Sequence, residues 1–231
     1  MPEESRGELI RSAGGALAWR TLDGLEVTAA QDALQRPRPG RDLLWRAVLG
    51  GSARVVDATA GLGADSFHLA AKGAEVVMLE RSPTLVALLE DALARAVAGE
   101  LGESARVAAG RVSLRAGDAR TLLSDGSLVG EAPVVYLDPM FPQHQKSKRS
   151  LPGKGMALLR DSLTTTSVQE ETELLNAALR AATRRVVVKR PLGAEPLAGS
   201  RPSGSLTGTT TRYDIYAPAA PVAAPTAATG E

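Results

Sequence analysis

The stretch Val55–Gly73, VVDATAGLGADSFHLAAKG, decides the fold. Two valines run into Asp57, a turn follows with Gly61 and Gly63, and a helical pattern runs on until Gly73 stops it. Strand, glycine turn and helix in that order are the opening unit of a doubly wound α/β sheet, in which ligands sit where the first strand gives way to its helix. Gly61 and Gly63 allow a tight turn and let the backbone approach a ligand with no Cβ in between.

Working outward, the pattern alternates. AEVVMLE reads as a second strand and SPTLVALLEDALARAVA as a helix capped by Ser82 with Pro83 at its first position. Leu85, Leu88, Leu89, Ala92, Leu93 and Ala96 make its apolar face. RVSLRAG, APVVYLD and RRVVVKRP read as strands, QEETELLNAALRAAT as a helix and SLTGTTTRYDIYA as a closing hairpin. Strands as continuously apolar as VVYLD and VVVK are expected where helices cover both faces of a mainly parallel sheet.

Upstream, LAWRTLDGLEVT alternates around Asp23-Gly24, a hairpin signal. The Pro-rich QRPRPGR breaks the pattern. The expected organisation is therefore a small N-terminal extension over residues 1–40, a main domain over 41–216, and a disordered Ala/Pro-rich tail over 217–231.

Bulk properties narrow the function. A net charge of +1 excludes a grossly basic nucleic-acid coat protein, though not a local basic patch. The absence of cysteine excludes disulfides, thiolate catalysis and Cys-ligated zinc. His68 and His144 share no ligand spacing, and no metal is expected; His68 is read as structural. With no secretory layout at MPEESRGE and no apolar run of the ~18 residues a membrane span needs, a soluble cytoplasmic protein is expected.

A dinucleotide site would carry G-x-G-x-x-G or G-x-G-x-x-A. Here Asp65 follows the second glycine, where it would repel a pyrophosphate and argues against a dehydrogenase. It suits a cationic ligand, and S-adenosylmethionine carries a sulfonium, an ammonium and no phosphate. Glu80, closing the second strand, can accept from ribose hydroxyls, and Asp118, after the third, from an adenine amino group. Asp57 either fixes the loop or touches the ligand.

The fourth strand ends in Asp138-Pro139-Met140-Phe141. The amino group of a nucleobase is a poor nucleophile because its lone pair is delocalised into the ring. A carboxylate and a backbone carbonyl accepting its two hydrogens favour a pyramidal, more nucleophilic nitrogen. Pro139 stiffens that corner, and Phe141 offers a stacking surface worth about 1–3 kcal/mol per base. Asp138, Pro139 and Phe141 are thus the candidate acceptor site. Lys146, Lys148 and Arg149 follow, and Lys189 and Arg190 end the fifth strand on the same sheet edge, so these five are expected to bind an RNA phosphate backbone.

Taken together, VVDATAGLGADSF, MLERSP with ALLEDALARA, VVYLDPMFPQHQKS, RVVVKRP and YDIY resemble the ribosomal RNA small subunit methyltransferase J family. That resemblance implies a class I S-adenosylmethionine-dependent enzyme acting on a guanine N2 amino group of small-subunit (16S) ribosomal RNA, with ribosomal RNA or the small subunit as partner. It implies cofactor contacts at Ala64-Asp65, Glu80-Arg81, Gly117-Asp118 and Asp138. The chain departs from the family at Ala64, where arginine is usual, in the rewritten KRSLPGKGMALLR segment, and in a shorter region before Arg41. The alternatives are methylation of another amino group, on DNA or a protein amide, and a non-catalytic RNA-binding or assembly factor.

Overall fold

Val55 and Val56 are both fully buried in strand β4 (Arg54–Asp57), because the sheet it belongs to is covered on both faces. The computed structural model describes residues 7–29, 42–49, 54–126, 128, 132–139 and 167–218. Phe141, His144, Lys146, Lys148, Arg149 and the tail beyond residue 218 lie outside the described residues, and so do the expected domain boundaries near residue 40.

The N-terminal part is a three-stranded antiparallel sheet, β1 (Gly7–Arg11), β2 (Leu17–Thr21) and β3 (Glu26–Val27). The expected Asp23-Gly24 hairpin joins β2 to β3; Gly24 adopts φ +83° and its N–H donates to the Thr21 carbonyl at 2.9 Å. β1 adds a strand that the sequence reading did not anticipate.

The main sheet has seven strands in the order β6-β5-β4-β7-β8-β10-β9. They are β5 (Glu75–Glu80), β6 (Val112–Ala116), β7 (Val134–Leu137), β8 (Arg185–Pro191), β9 (Gly204–Thr207) and β10 (Thr211–Tyr216). Neighbours from β6 through β8 are parallel, and β10 alone runs against them, pairing antiparallel with both β8 and β9. The chain thus steps outward from β4 to β5 and β6, then returns to the other side of β4 with β7 and β8. The β4–β7 boundary is the switch point, where a crevice opens at the carboxyl ends of diverging strands.

Helices α1 (Leu43–Leu49), α2 (Ala64–Ala71), α3 (Pro83–Val97) and α4 (Glu103–Ala109) cover one face of the sheet; α5 (Ala119–Ser124) and α6 (Val168–Ala181) cover the other. In α3, Leu85, Leu88, Leu89, Ala92 and Ala96 are buried as the 3.6-residue period demands. Ser82 caps it by accepting from the Leu85 N–H. At α6, Ser167 and Glu170 form a reciprocal capping box. The N-terminal sheet docks on α3 through Asp91, which accepts from the Leu17 N–H at 2.9 Å and from the Arg11 guanidinium.

Gly63 starts α2 in the left-handed region at φ +77°, and a Cβ there would stand 2.8 Å from Leu89 Cδ2 and 3.2 Å from the Phe67 ring. Only glycine lets the loop turn this sharply while α2 packs on α3. Gly61, at φ +56°, faces open space, its nearest neighbour being the Thr59 carbonyl at 3.9 Å.

Candidate active site

The loops after β4, β5, β6 and β7 meet at the switch point and are stitched together by named hydrogen bonds. Ala58 N–H donates to the Tyr136 carbonyl at 3.0 Å, continuing the β4–β7 ladder by one step. Beyond it, Asp138 N–H donates to Thr59 Oγ1 at 2.6 Å. The acidic-proline corner of β7 therefore rests on the glycine loop of β4. On the other side, Glu80 joins that loop to β5: one carboxylate oxygen accepts from Gly61 N–H at 2.9 Å and the other from Ser82 N–H at 2.8 Å. Gly117 N–H donates to the Glu80 carbonyl at 2.8 Å, bringing the β6 loop into the same row.

The centre is acidic. Asp57 is 2 % exposed and accepts from Ser66 Oγ at 2.6 Å and from Thr59 N–H at 3.1 Å. Each oxygen accepts from the loop or from the helix after it, and burial leaves a ligand little access, which favours the loop-fixing reading of the two. Burial pushes its pKa up to about 7; Ser66 and Thr59 pull it down, and the neighbouring charges of Asp65 and Asp138 add to the rise. Glu80 is likewise raised by burial, against its backbone donors.

A raised carboxyl pKa means that the folded protein holds this proton more tightly than the unfolded chain. The stabilisation is complete below the ordinary aspartate value of about 4 and is lost as pH rises through about 7. Denaturant unfolding of wild type and Asp57→Asn should therefore diverge, the variant gaining about 3 kcal/mol relative to wild type between pH 5 and pH 8. A constant difference across that range would mean that Asp57 does not titrate there.

Asp65, on the first turn of α2, turns inward. Its Oδ2 accepts from the Tyr136 hydroxyl at 2.7 Å and from Lys189 Nζ at 2.9 Å. Lys189 also donates to Asp138 Oδ2 at 2.7 Å. Burial alone would lower the Lys189 pKa, but the Asp138 and Asp65 carboxylates outweigh it and hold the ammonium charged well above the ordinary lysine range. Tyr136, fully buried, is pushed up by burial and by the charges of Asp65 and Asp138, so its hydroxyl acts as a donor.

Three of the expected site residues make contacts within the protein. Lys189 is not part of an outward basic surface: its side chain is 25 % exposed and bridges two acids inside the pocket. Arg190, the next residue along β8, points to the opposite face; it is 6 % exposed and lies in the field of Glu171 and Asp214. The two side chains therefore leave β8 on opposite faces of the sheet. Asp118, expected to meet an adenine amino group, caps α5 by accepting from Arg120 N–H at 2.8 Å and is gripped by the Arg120 guanidinium at 2.7 Å, which holds its pKa below the usual carboxylate range. Arg81 stands at the rim, 3.4 Å from Glu170. Ala64 opens α2, Gly117 follows β6, Pro139 is buried, and His68 is a buried residue paired with Asp42 at 2.7 Å.

Thr59, Ser66 and Tyr136 were not among the sequence-predicted site residues, and Lys189 was expected to meet RNA phosphate rather than to bridge two acids. Only Tyr136 carried a signal: one hydroxyl in an otherwise apolar strand needs a buried partner. Among the described residues, no group of three or more His, Asp or Glu is placed to hold a metal ion, and no helix is long and apolar enough to cross a membrane.

The donor set fits S-adenosylmethionine better than a phosphate ligand. The Gly61 N–H, which in a phosphate-binding turn would face the anion, is already bonded to Glu80. Asp65 and Asp138 set two carboxylates on the Lys189 ammonium, and Glu80 adds another acid beside the glycine loop, a setting that suits a cation better than a phosphate.

Comparison with known proteins agrees. Residues 39–218 match the family described as "Putative SAM-dependent methyltransferase". The chain is 48 % identical to the ribosomal RNA small subunit methyltransferase J of Thioalkalivibrio sulfidiphilus over 70 % of its own length, spanning 61 % of that relative. It is 43 % identical to the protein of the same name from Rhodopseudomonas palustris, over 88 % of this chain and 84 % of that relative. The crystal structure of a SAM-dependent methyltransferase from Neisseria gonorrhoeae superimposes with a TM-score of 0.74 at 32 % identity, covering 95 % of this chain and 86 % of that one. With a match this long and relatives this similar, the chain belongs to the ribosomal RNA small subunit methyltransferase J family of S-adenosylmethionine-dependent methyltransferases.

Proposed function

We propose that this chain transfers a methyl group from S-adenosylmethionine to the exocyclic N2 amino group of a guanine in small-subunit ribosomal RNA. One observation carries the reading: the Asp138 N–H to Thr59 Oγ1 bond, 2.6 Å long, sets the acceptor corner directly on the donor loop. In this reading the donor lies over Gly61 and the amine at Asp138, on two loops joined by that bond, and direct transfer between them needs mostly positioning.

The residues divide the work. Glu80 keeps lone pairs beyond those given to Gly61 and Ser82, and these are offered to the ribose hydroxyls. Gly61, Gly63 and Ala64 leave room for the donor, while Arg81, Gly117 and Asp118 form the rim on the adenosine side. Asp57 braces the loop. Bound S-adenosylmethionine would supply an electrophilic methyl carbon on a sulfonium whose sulfur leaves with the bonding pair as a neutral thioether.

Asp138 accepts a hydrogen bond from the amine and stabilises the positive charge that grows on nitrogen as the N–CH3 bond forms and the S–CH3 bond breaks; the methylated nitrogen then releases one proton to water. Pro139 holds that carboxylate's backbone stiff. Phe141 is assigned as the stacking surface for the base, and Lys146, Lys148 and Arg149 as phosphate contacts; for these four the support is the sequence. Residues 41–216 form the methyltransferase unit in this reading, with 1–40 an appended extension and 217–231 a tail. Its site of action is the bacterial ribosome, in the cytoplasm.

The test is incubation of the protein with methyl-labelled S-adenosylmethionine and, separately, small-subunit ribosomal RNA, assembled small subunits, DNA and a protein extract. Label recovered as N2-methylguanine from the ribosomal RNA, free or assembled, is the expected result. Label confined to DNA or to protein would overturn the substrate, and cofactor binding without turnover on any acceptor would favour an assembly factor.

A further inference from the structure

Between β4 and the glycine loop the chain is strung across the switch point. Ala58 N–H donates to the Tyr136 carbonyl of β7 at 3.0 Å, and Ala60 N–H to the Leu79 carbonyl of β5 at 3.2 Å. Thr59 stands between them, half-buried. One rung past Ala58, a parallel ladder would offer Asp138 N–H a main-chain carbonyl; the oxygen it reaches here, at 2.6 Å, is Thr59 Oγ1. The chain can thus leave β4 for its turn while β7 runs on to Asp138. Proline has no N–H, so of the Asp138-Pro139 pair only Asp138 brings a main-chain donor, and that donor goes to Thr59.

Thr59 is held in its turn. Its N–H donates to Asp57 Oδ1 at 3.1 Å, and Asp57 Oδ2 accepts from Ser66 Oγ on α2 at 2.6 Å. Ser66, Asp57, Thr59 and Asp138 therefore form one hydrogen-bonded line from the helix after the glycine loop to the end of β7. A β-branched side chain is stiff about χ1, so the Thr59 oxygen stands at a fixed place relative to that line.

We propose that Thr59 is a positioning residue for methyl transfer: its hydroxyl oxygen fixes the main chain of Asp138 and so aims that residue's carboxylate at the amine. This rests on the methyltransferase reading above. In it Thr59 meets neither the donor nor the base, and its effect on the rate passes through Asp138.

Valine has the shape of threonine without the oxygen. With small-subunit ribosomal RNA and saturating methyl-labelled S-adenosylmethionine, Thr59→Val should transfer about thirtyfold more slowly than wild type in a single turnover. Calorimetry should find S-adenosylhomocysteine bound within about threefold of wild type, which also shows that the variant is folded. Thr59→Ser keeps the oxygen and should stay within about threefold of wild type in both measurements. A double-mutant cycle supplies the second readout: in an Asp138→Ala background, Thr59→Val should slow transfer less than about threefold further, because the carboxylate it aims is gone.

Wild-type transfer by Thr59→Val, a loss that Thr59→Ser shares, a loss of the same size in both backgrounds, or a fall in S-adenosylhomocysteine affinity in step with the rate would each overturn the proposal. A wild-type protein that methylates no guanine in the RNA would instead overturn the reading on which it stands.

Discussion

Replacing Asp138 by alanine should lower the single-turnover rate of methyl transfer about a thousandfold, or about 4 kcal/mol of transition-state stabilisation, while S-adenosylhomocysteine still binds within about threefold of wild type. The asymmetry follows from where Asp138 sits. Its backbone N–H is anchored on Thr59 and survives the substitution, so the donor loop keeps its shape. What disappears is the carboxylate that accepts from the amine and faces the developing charge. Asp138→Asn keeps an acceptor oxygen but loses the charge and the ion pair with Lys189, and should fall about a hundredfold. Rapid-quench measurement with saturating cofactor, paired with calorimetry, separates the two quantities. An Asp138→Ala protein that transfers at the wild-type rate would remove the acceptor site from this corner.

The fold was largely legible because its strong signals are local. Continuous apolar runs such as VVYL and VVV mark strands buried on both faces, and Ser82-Pro83 announces α3. The elements that escaped reading were those whose existence depends on a partner. GELIR becomes β1 only because β2 lies beside it, and α4, ESARVAA, is a short alanine-rich segment that buries Ala105, Ala108 and Ala109 against neighbours remote in sequence.

The site divided in the same way. Glu80 closes β5 and Asp138 follows β7, positions that the sequence encodes directly. The meaning of Lys189 was not encoded locally. A lysine beside an arginine at a strand end reads as surface charge. Its direction is fixed by the β7–β8 register, Leu137 opposite Val188, and its role by Asp65, which lies 124 residues away in sequence. Asp118 also caps a helix, with Arg120 two residues off, a contact that the sequence encodes locally.

Glu80→Ala should weaken S-adenosylhomocysteine binding about a hundredfold and raise KM for the donor similarly, with kcat at saturating donor reduced less than about threefold. Each half of that expectation has a separate cause. The carboxylate does two jobs at once: it offers acceptors to the ribose, and it bridges Gly61 N–H to Ser82 N–H. Loss of the first removes charge-assisted hydrogen bonds to the ligand, and loss of the second frees a left-handed glycine turn whose shape the ligand needs. Neither interaction changes as the methyl group moves, so the loss is uniform between ground and transition states and falls on affinity. Glu80→Gln tests the division of labour. Its amide keeps one acceptor oxygen but turns the other position into a donor that clashes with a backbone N–H, so one bridge must break. Its affinity should fall between wild type and alanine. If Glu80→Gln binds like wild type, one acceptor suffices and the bridge across the glycine loop is dispensable. If Glu80→Ala instead loses kcat with its affinity intact, the ribose has been placed on the wrong strand.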